Sequence, residues 1–320
     1  MAGRRSSSDV LLNRELLSTI ATFQGGLYRE VRPILRDWRA KRLHARTSFL
    51  VAALELAKGL RLLQRLVLCQ PDIMTPDVLD HIVHLGHLDA VKYVTLHLPT
   101  LRCSPNALNM AVSSGHLDLV TYLHAQGTKS WTEHTLDLAA ESGHLKMVRY
   151  LHDHGLGAST YAMDCAAGRG SLDIVRFLHT HRGEGCTTSA MDRACANGHM
   201  DVVRFLHANR TEGCTRDAMD SAAGSGHLDM VTFLHQQRSE GCTSRAMDQA
   251  AGNGHLQVVA FLHEHRHEGA TTLAIDMAAA HGHLHVVEFL VQHRREGWRD
   301  AVSWAARNGH ASIVAYLESI

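Results

Sequence analysis

A glycine returns nine times along this chain at intervals of 27 to 29 residues: Gly86, Gly115, Gly143, Gly170, Gly198, Gly226, Gly254, Gly282 and Gly309. Histidine follows it in eight cases; the exception is Ser171. A period of that length belongs to solenoids and repeat arrays, in which each unit buries its apolar face against the next. It constrains every other assignment. A side chain that recurs with the glycine is first a part of the repeat and only then a candidate for chemistry.

The repeat itself predicts two short helices. Eleven residues before the glycine stands Ser or Thr in eight repeats: Thr75, Ser104, Thr132, Ser159, Thr187, Thr215, Thr243 and Thr271, with Trp298 in the ninth. These hydroxyls suit a helix N-cap, where they accept otherwise orphaned backbone N–H groups. Pro76 and Pro105 occupy the favoured first helical position behind two of them. The first helix then carries small and apolar residues on one face, Ala190, Met191, Ala194 and Cys195 in one repeat and Ala218, Met219, Ala222 and Ala223 in the next. Glycine ends it as a left-handed C-cap. A second amphipathic helix follows, marked by Met200, Val203, Phe205 and Leu206 or by Leu228, Val231, Phe233 and Leu234. The cap-to-glycine distance never changes, so all length variation falls in the connecting loops, which tolerate it.

This unit resembles the ankyrin repeat. Gly198-His199-Met200-Asp201-Val202-Val203 matches that family's G-H-L-x-V-V, and Ser189-Ala190-Met191-Asp192 takes the place of its T-P-L-H. The resemblance runs from Thr75 to Ile320. It implies an all-α helix-turn-helix solenoid of nine repeats, here with truncated hairpins because each unit is about five residues short of the family's 33. Asp at 80, 137, 164, 192, 220, 248 and 276 stands where the family carries His. Residues 48–74, with Ser48, Gly59, Leu62, Leu63, Leu66 and Val67, read as a degenerate N-terminal capping repeat. Residues 9–47 read as an N-terminal helical segment with a weak F-box-like pattern, Glu15-Leu16-Leu17 through Ile20 to Val31 and Trp38. Residues 1–8 are expected to be disordered.

Composition narrows function by exclusion. Lys plus Arg and Asp plus Glu number 32 each, so the chain has no overall electrostatic footprint for nucleic acid or an anionic membrane. No apolar run reaches the length of a membrane span. The N-terminus lacks the apolar core of a signal peptide, so a cytoplasmic protein is expected, with the nucleus left open. Four of the seven Cys, Cys103, Cys186, Cys214 and Cys242, share one repeat position. Helix layers stack about 8–10 Å apart, too far for a bridge that needs Cα atoms within about 7 Å. These Cys therefore read as small reduced core residues.

The histidines invite a metal reading that the period answers. His263-Glu264-His265-Arg266-His267 matches H-E-x-x-H, which binds zinc only from one face of a continuous helix and with a third ligand. Here it falls at the end of a second helix, and its counterparts in neighbouring repeats keep only the first His. No catalytic residue, metal or cofactor is assigned, and no enzyme activity is expected. Arg182, Arg210, Arg238, Arg266 and Arg294 form a further row, each followed two residues later by Glu, and stacking would let the Arg and Glu rows cross-pair.

Once the repeat is subtracted, the residues that vary between units mark a candidate partner-binding face: Trp131, Arg169, Arg193, Arg216, Asp217, Ser244, Arg245, Gln249, Met277, His281 and Trp298. Solenoids present such residues on one extended concave surface, and Trp and Arg dominate interface energetics. The expected function is a non-enzymatic, monomeric protein–protein interaction module. The alternative is a substrate-recruiting adaptor of a ubiquitin ligase, with the F-box-like segment as its handle.

Overall fold

The structure, a computed structural model, describes residues 23–24, 27–28, 31–41, 60–127, 131–132 and 134–320. Two compact units divide the chain, residues 1–132 and 133–320. Each is built from paired antiparallel helices in which first helices pack on first helices and second helices on second helices.

In the first unit, Phe23–Gln24 pairs antiparallel with Leu27–Tyr28, Phe23 opposite Tyr28 and Gln24 opposite Leu27. This corrects the expectation of helix throughout residues 9–47. Gly25-Gly26 lies between the two strands in sequence. Glycine pairs favour two-residue hairpin connections, and each glycine costs a helix about 1 kcal/mol. Helix does form at Val31–Ala40, which buries Val31 and Leu35. The disordered-tail and F-box-like readings otherwise lie outside the described residues. Of the proposed capping repeat, Leu60–Cys69 is helical and buries Leu62, Leu63, Leu66 and Val67, while residues 48–59 lie outside the described set. Helices Pro76–His84, Leu88–His97, Pro105–Ser113 and Leu117–Ala125 complete the unit.

The second unit repeats the pair from Thr135–Glu141 with Leu145–Asp153 through Thr188–Ala196 with Met200–Asn209 to Ala301–Arg307 with Ala311–Glu318. First helices approach closely because the facing residues are alanines: Ala190, Ala194, Ala218 and Ala222 have essentially no exposed surface. Second helices bury Val202, Val203 and Leu206 or their equivalents, at about 1.5–3 kcal/mol per large side chain. Phe205 and Phe233, expected in that core, are only half-buried. Each stands edge-on to a histidine of the preceding repeat, His179 over Phe205 and His207 over Phe233, both at 5.5 Å. Between Arg182 and Thr187 the chain makes only a bend, so the hairpin of longer ankyrin repeats is reduced to a turn.

The caps sort into three groups. Ser159, Thr187, Thr215, Thr243 and Thr271 each accept from the backbone N–H two residues on. Thr75 and Ser104 hold the capping position with Pro behind them, but their hydroxyls make no cap bond. Thr132 is not a cap: that helix opens at Thr135 behind His134, whose ring lies 3.4 Å from Asp137.

Candidate functional site

The surface that could bind a partner is set by what the repeat leaves free, so the framework bonds come first. Each Asp of the repeat reaches the next unit. Asp164 accepts from the Thr187 backbone N–H at 2.8 Å and from its hydroxyl at 2.7 Å. Asp137, Asp192, Asp220 and Asp248 repeat that pair of bonds with Ser159, Thr215, Thr243 and Thr271. Asp276 takes two backbone N–H groups instead, those of Arg299 and Asp300. The hydroxyl thus donates to one unit's carboxylate while accepting from its own helix. Burial pushes the carboxyls of Asp192 and Asp248 above their usual range, against the pull of the Thr donors. The substitution of Asp for the family's His therefore creates an inter-repeat tie.

The turn histidines lie on the glycine of the preceding repeat. A side chain on Gly198 would meet the His227 ring at 2.8 Å, and Gly198 has φ +74°. Where Ser171 replaces His, Arg169 fills the space over Gly143. His116 and His310 bond the carbonyls of His84 and Ala280 at 3.0 and 3.1 Å. Burial, then the neighbouring His281 and His255, push His283 below the usual histidine range. The second-helix histidines His179, His207, His235 and His263 meet phenylalanines of the next repeat edge-on. The helix that carries His263 ends at His265 and the backbone turns extended at Arg266, so His267 lies outside the helix. Among the described residues no cluster of three metal-ligating side chains forms.

In the loops, Arg and Glu pair within one loop rather than across repeats, which corrects the expected cross-pairing. Arg182 holds Glu184 at 2.6 and 3.2 Å; Arg210–Glu212, Arg266–Glu268 and Arg294–Glu296 make the same two bonds, and Arg238 holds Glu240 by its Nη2. The two residues are only two apart, so the fork closes without spanning a repeat. The glutamate can also accept a backbone N–H of the preceding unit, as Glu268 does from Cys242 at 3.4 Å. Arg210 holds Glu212 down at about 2. A second set of left-handed glycines makes room: a side chain on Gly213 would meet Arg238 at 2.5 Å. Beside these forks Cys186, Cys214 and Cys242 are buried and unbridged. Burial pushes each thiol up to about 11.

The candidate partner-binding residues divide against this framework. Arg169 and His281 are exposed, yet each bonds a carbonyl of the preceding repeat, Glu141 at 3.3 Å and Gly252 at 2.6 Å. Asn197, Asn253 and Asn308 make the same staple, so these two positions belong to the fold. Gln249 and Met277 are half-buried and pack over Gly224 and Gly252. Arg193 is exposed and lies over the Tyr161 ring at 5.7 Å, with Cys165 Sγ 3.3 Å from its guanidinium. Arg216, Asp217, Arg245 and Trp298 are exposed and Ser244 half-buried; Arg245 comes within 3.5 Å of Asp217. Trp131 belongs to the first unit, edge-on to His124 at 5.0 Å. Sequence reasoning missed Tyr161 and Leu273, which are 43% and 47% exposed. They occupy the Asp217 and Arg245 position of their own repeats, so the period could have found them.

A stack of helix pairs tied by recurrent Asp, His and Arg–Glu contacts, with variable side chains on its first helices, defines a helical repeat protein of the interaction class. Models of that kind match the sequence: ankyrin repeats (many copies) at residues 186–235, and ankyrin repeats (3 copies) at residues 50–164 and 247–319. The chain belongs to the ankyrin-repeat family. Among solved structures it is similar to the human ASB11 ankyrin repeat domain, with 19% identity and a TM-score of 0.44 over 57% of this chain and 96% of that one. No curated protein matches it. No helix among the described residues is long and apolar enough to cross a membrane.

Proposed function

We propose that this chain is a non-enzymatic protein-binding module that holds its partner on the first-helix face of residues 133–320. One observation carries the reading. Framework side chains at fixed repeat positions are tied to neighbouring units, whereas Arg216, Asp217, Arg245, Leu273 and Trp298 differ from repeat to repeat and stand exposed. Variation confined to exposed positions of a rigid stack is how one scaffold acquires specificity without changing its core. Arg193, with Tyr161 beneath it, joins them as a preorganised cation. The test is affinity capture with the intact chain beside a variant carrying Arg216→Ser, Arg245→Ser, Leu273→Ser and Trp298→Ala, with circular dichroism to verify folding. Partners captured by the first and lost by the folded variant are expected. Partners retained at full yield would place binding elsewhere.

A further inference from the structure

Exposed charge in the second unit is sorted by helix row. The first helices and their flanking residues expose six arginines against three carboxylates, whereas the second helices expose four bases against six carboxylates. A chain with no net charge has thus put its surplus of cation on the face that carries the variable residues. Arg216, Arg299 and Arg307 are exposed there, and among the described residues no hydrogen bond or ion pair engages their side chains. The buried Asp row offsets part of the field, but its oxygens are taken by donors of the next repeat, so it offers an incoming donor little. Towards the C-terminal end, the same face exposes Leu273 at 47% and Trp298 at 36%. The Arg299 and Asp300 backbone N–H groups, held by Asp276, seat the Trp298 loop beside helix Thr272–Ala280.

We infer that the occupant of this face is an acidic segment of a partner protein, its carboxylates meeting Arg216, Arg245 and Arg299 and one apolar side chain settling against Leu273 and Trp298. The inference rests on the protein-binding reading above. Charge complementarity selects the class. Carboxylates satisfy exposed guanidinium donors in a fork geometry. A polyanion such as duplex nucleic acid binds through about six to ten phosphate contacts, and the small surplus here, interrupted by Glu141, Asp217 and Asp300, suits a short peptide better.

The test selects a random peptide display library on the intact chain. Selected peptides are then titrated against the parent chain, Arg216→Glu/Arg245→Glu, Arg299→Glu/Arg307→Glu and Trp298→Ala, each verified as folded. Peptides rich in Asp and Glu with an aromatic or branched apolar residue are expected. Either charge reversal should raise Kd about tenfold or more and steepen with falling salt. The two charge pairs keep the test alive if one variant fails to fold. Neutral or basic peptides that still depend on the face would overturn the acidic assignment and leave the protein-binding reading standing. Peptides indifferent to every variant would overturn both. No enrichment, or equal binding of a single-stranded oligonucleotide or phosphatidylserine vesicles, would overturn the peptide assignment.

Discussion

At the scale of single residues, the turn glycine is constrained twice, and the two constraints can be separated. Gly198 has φ +74°, and its missing side chain leaves room for the His227 ring at 2.8 Å. Gly309 has φ +80° with nothing within 4 Å. Left-handed backbone costs an L-residue about 1–2 kcal/mol. Gly309→Ala should therefore lose about that much in urea denaturation, and Gly198→Ala measurably more. Adding His227→Ala should return only the excess. Equal losses at the two sites would show that the ring contact counts for nothing. The glycine period and its left-handed turn were legible in the sequence. The ring above each glycine was not, because that contact joins residues about one repeat apart and depends on how units stack. The Asp row was likewise visible as a recurrence, and its partner, 23 residues on, was not.

At the scale of elements, the loops hold more than their composition suggests. Their Arg–Glu row was legible as charge, and a solvated edge with cross-repeat pairing was the natural reading. Pairing within one loop follows from geometry: a guanidinium fork can close on a carboxylate two residues on, while a left-handed glycine in the preceding unit admits the arginine. The Glu212 carboxyl is held at about 2, chiefly by the Arg210 hydrogen bond, against an ordinary value near 4.5. The folded state thus binds that proton less readily than the unfolded one. The stabilisation is present above about pH 4.5 and is lost as pH falls towards 2. Glu184, Glu240, Glu268 and Glu296 shift the same way. Asp192 and Asp248, raised by burial, oppose them, since their folded forms take up protons more readily. The urea midpoint should fall between those pH limits, and Glu212→Gln should flatten part of that slope. An unchanged slope in the variant would show that the fork does not respond to its own titration. The site was less legible than the fold for a related reason: Arg169 and His281 vary in identity, and their bonds to backbone carbonyls leave no mark in sequence.

At the scale of the molecule, the contacts that hold the second unit together run between neighbouring repeats and recur at one register. Stability in such a stack is the sum of unit and nearest-neighbour terms. Removing residues 215–242, one whole period of 28, would bring Thr243 to the position of Thr215. The carboxylate of Asp192 would then find the same N–H and hydroxyl donors, Arg238 would give way to Arg266, and Gly226 to Gly254. Every tie has an equivalent substitute, so the shortened chain should fold with unchanged helicity per residue and a lower urea midpoint. Removing 14 residues from the same place should abolish the cooperative transition, because it sets a first helix against a second and leaves the carboxylates without donors. A half-period deletion that folded as well as the whole-period one would show that the Asp, His and Arg–Glu ties do not specify the stack. The whole-period deletion also removes Arg216 and Asp217 from the proposed binding face while sparing Arg245, Leu273 and Trp298. A folded product that loses partner binding would then need both halves of that face, and one that keeps it would confine recognition to the C-terminal repeats.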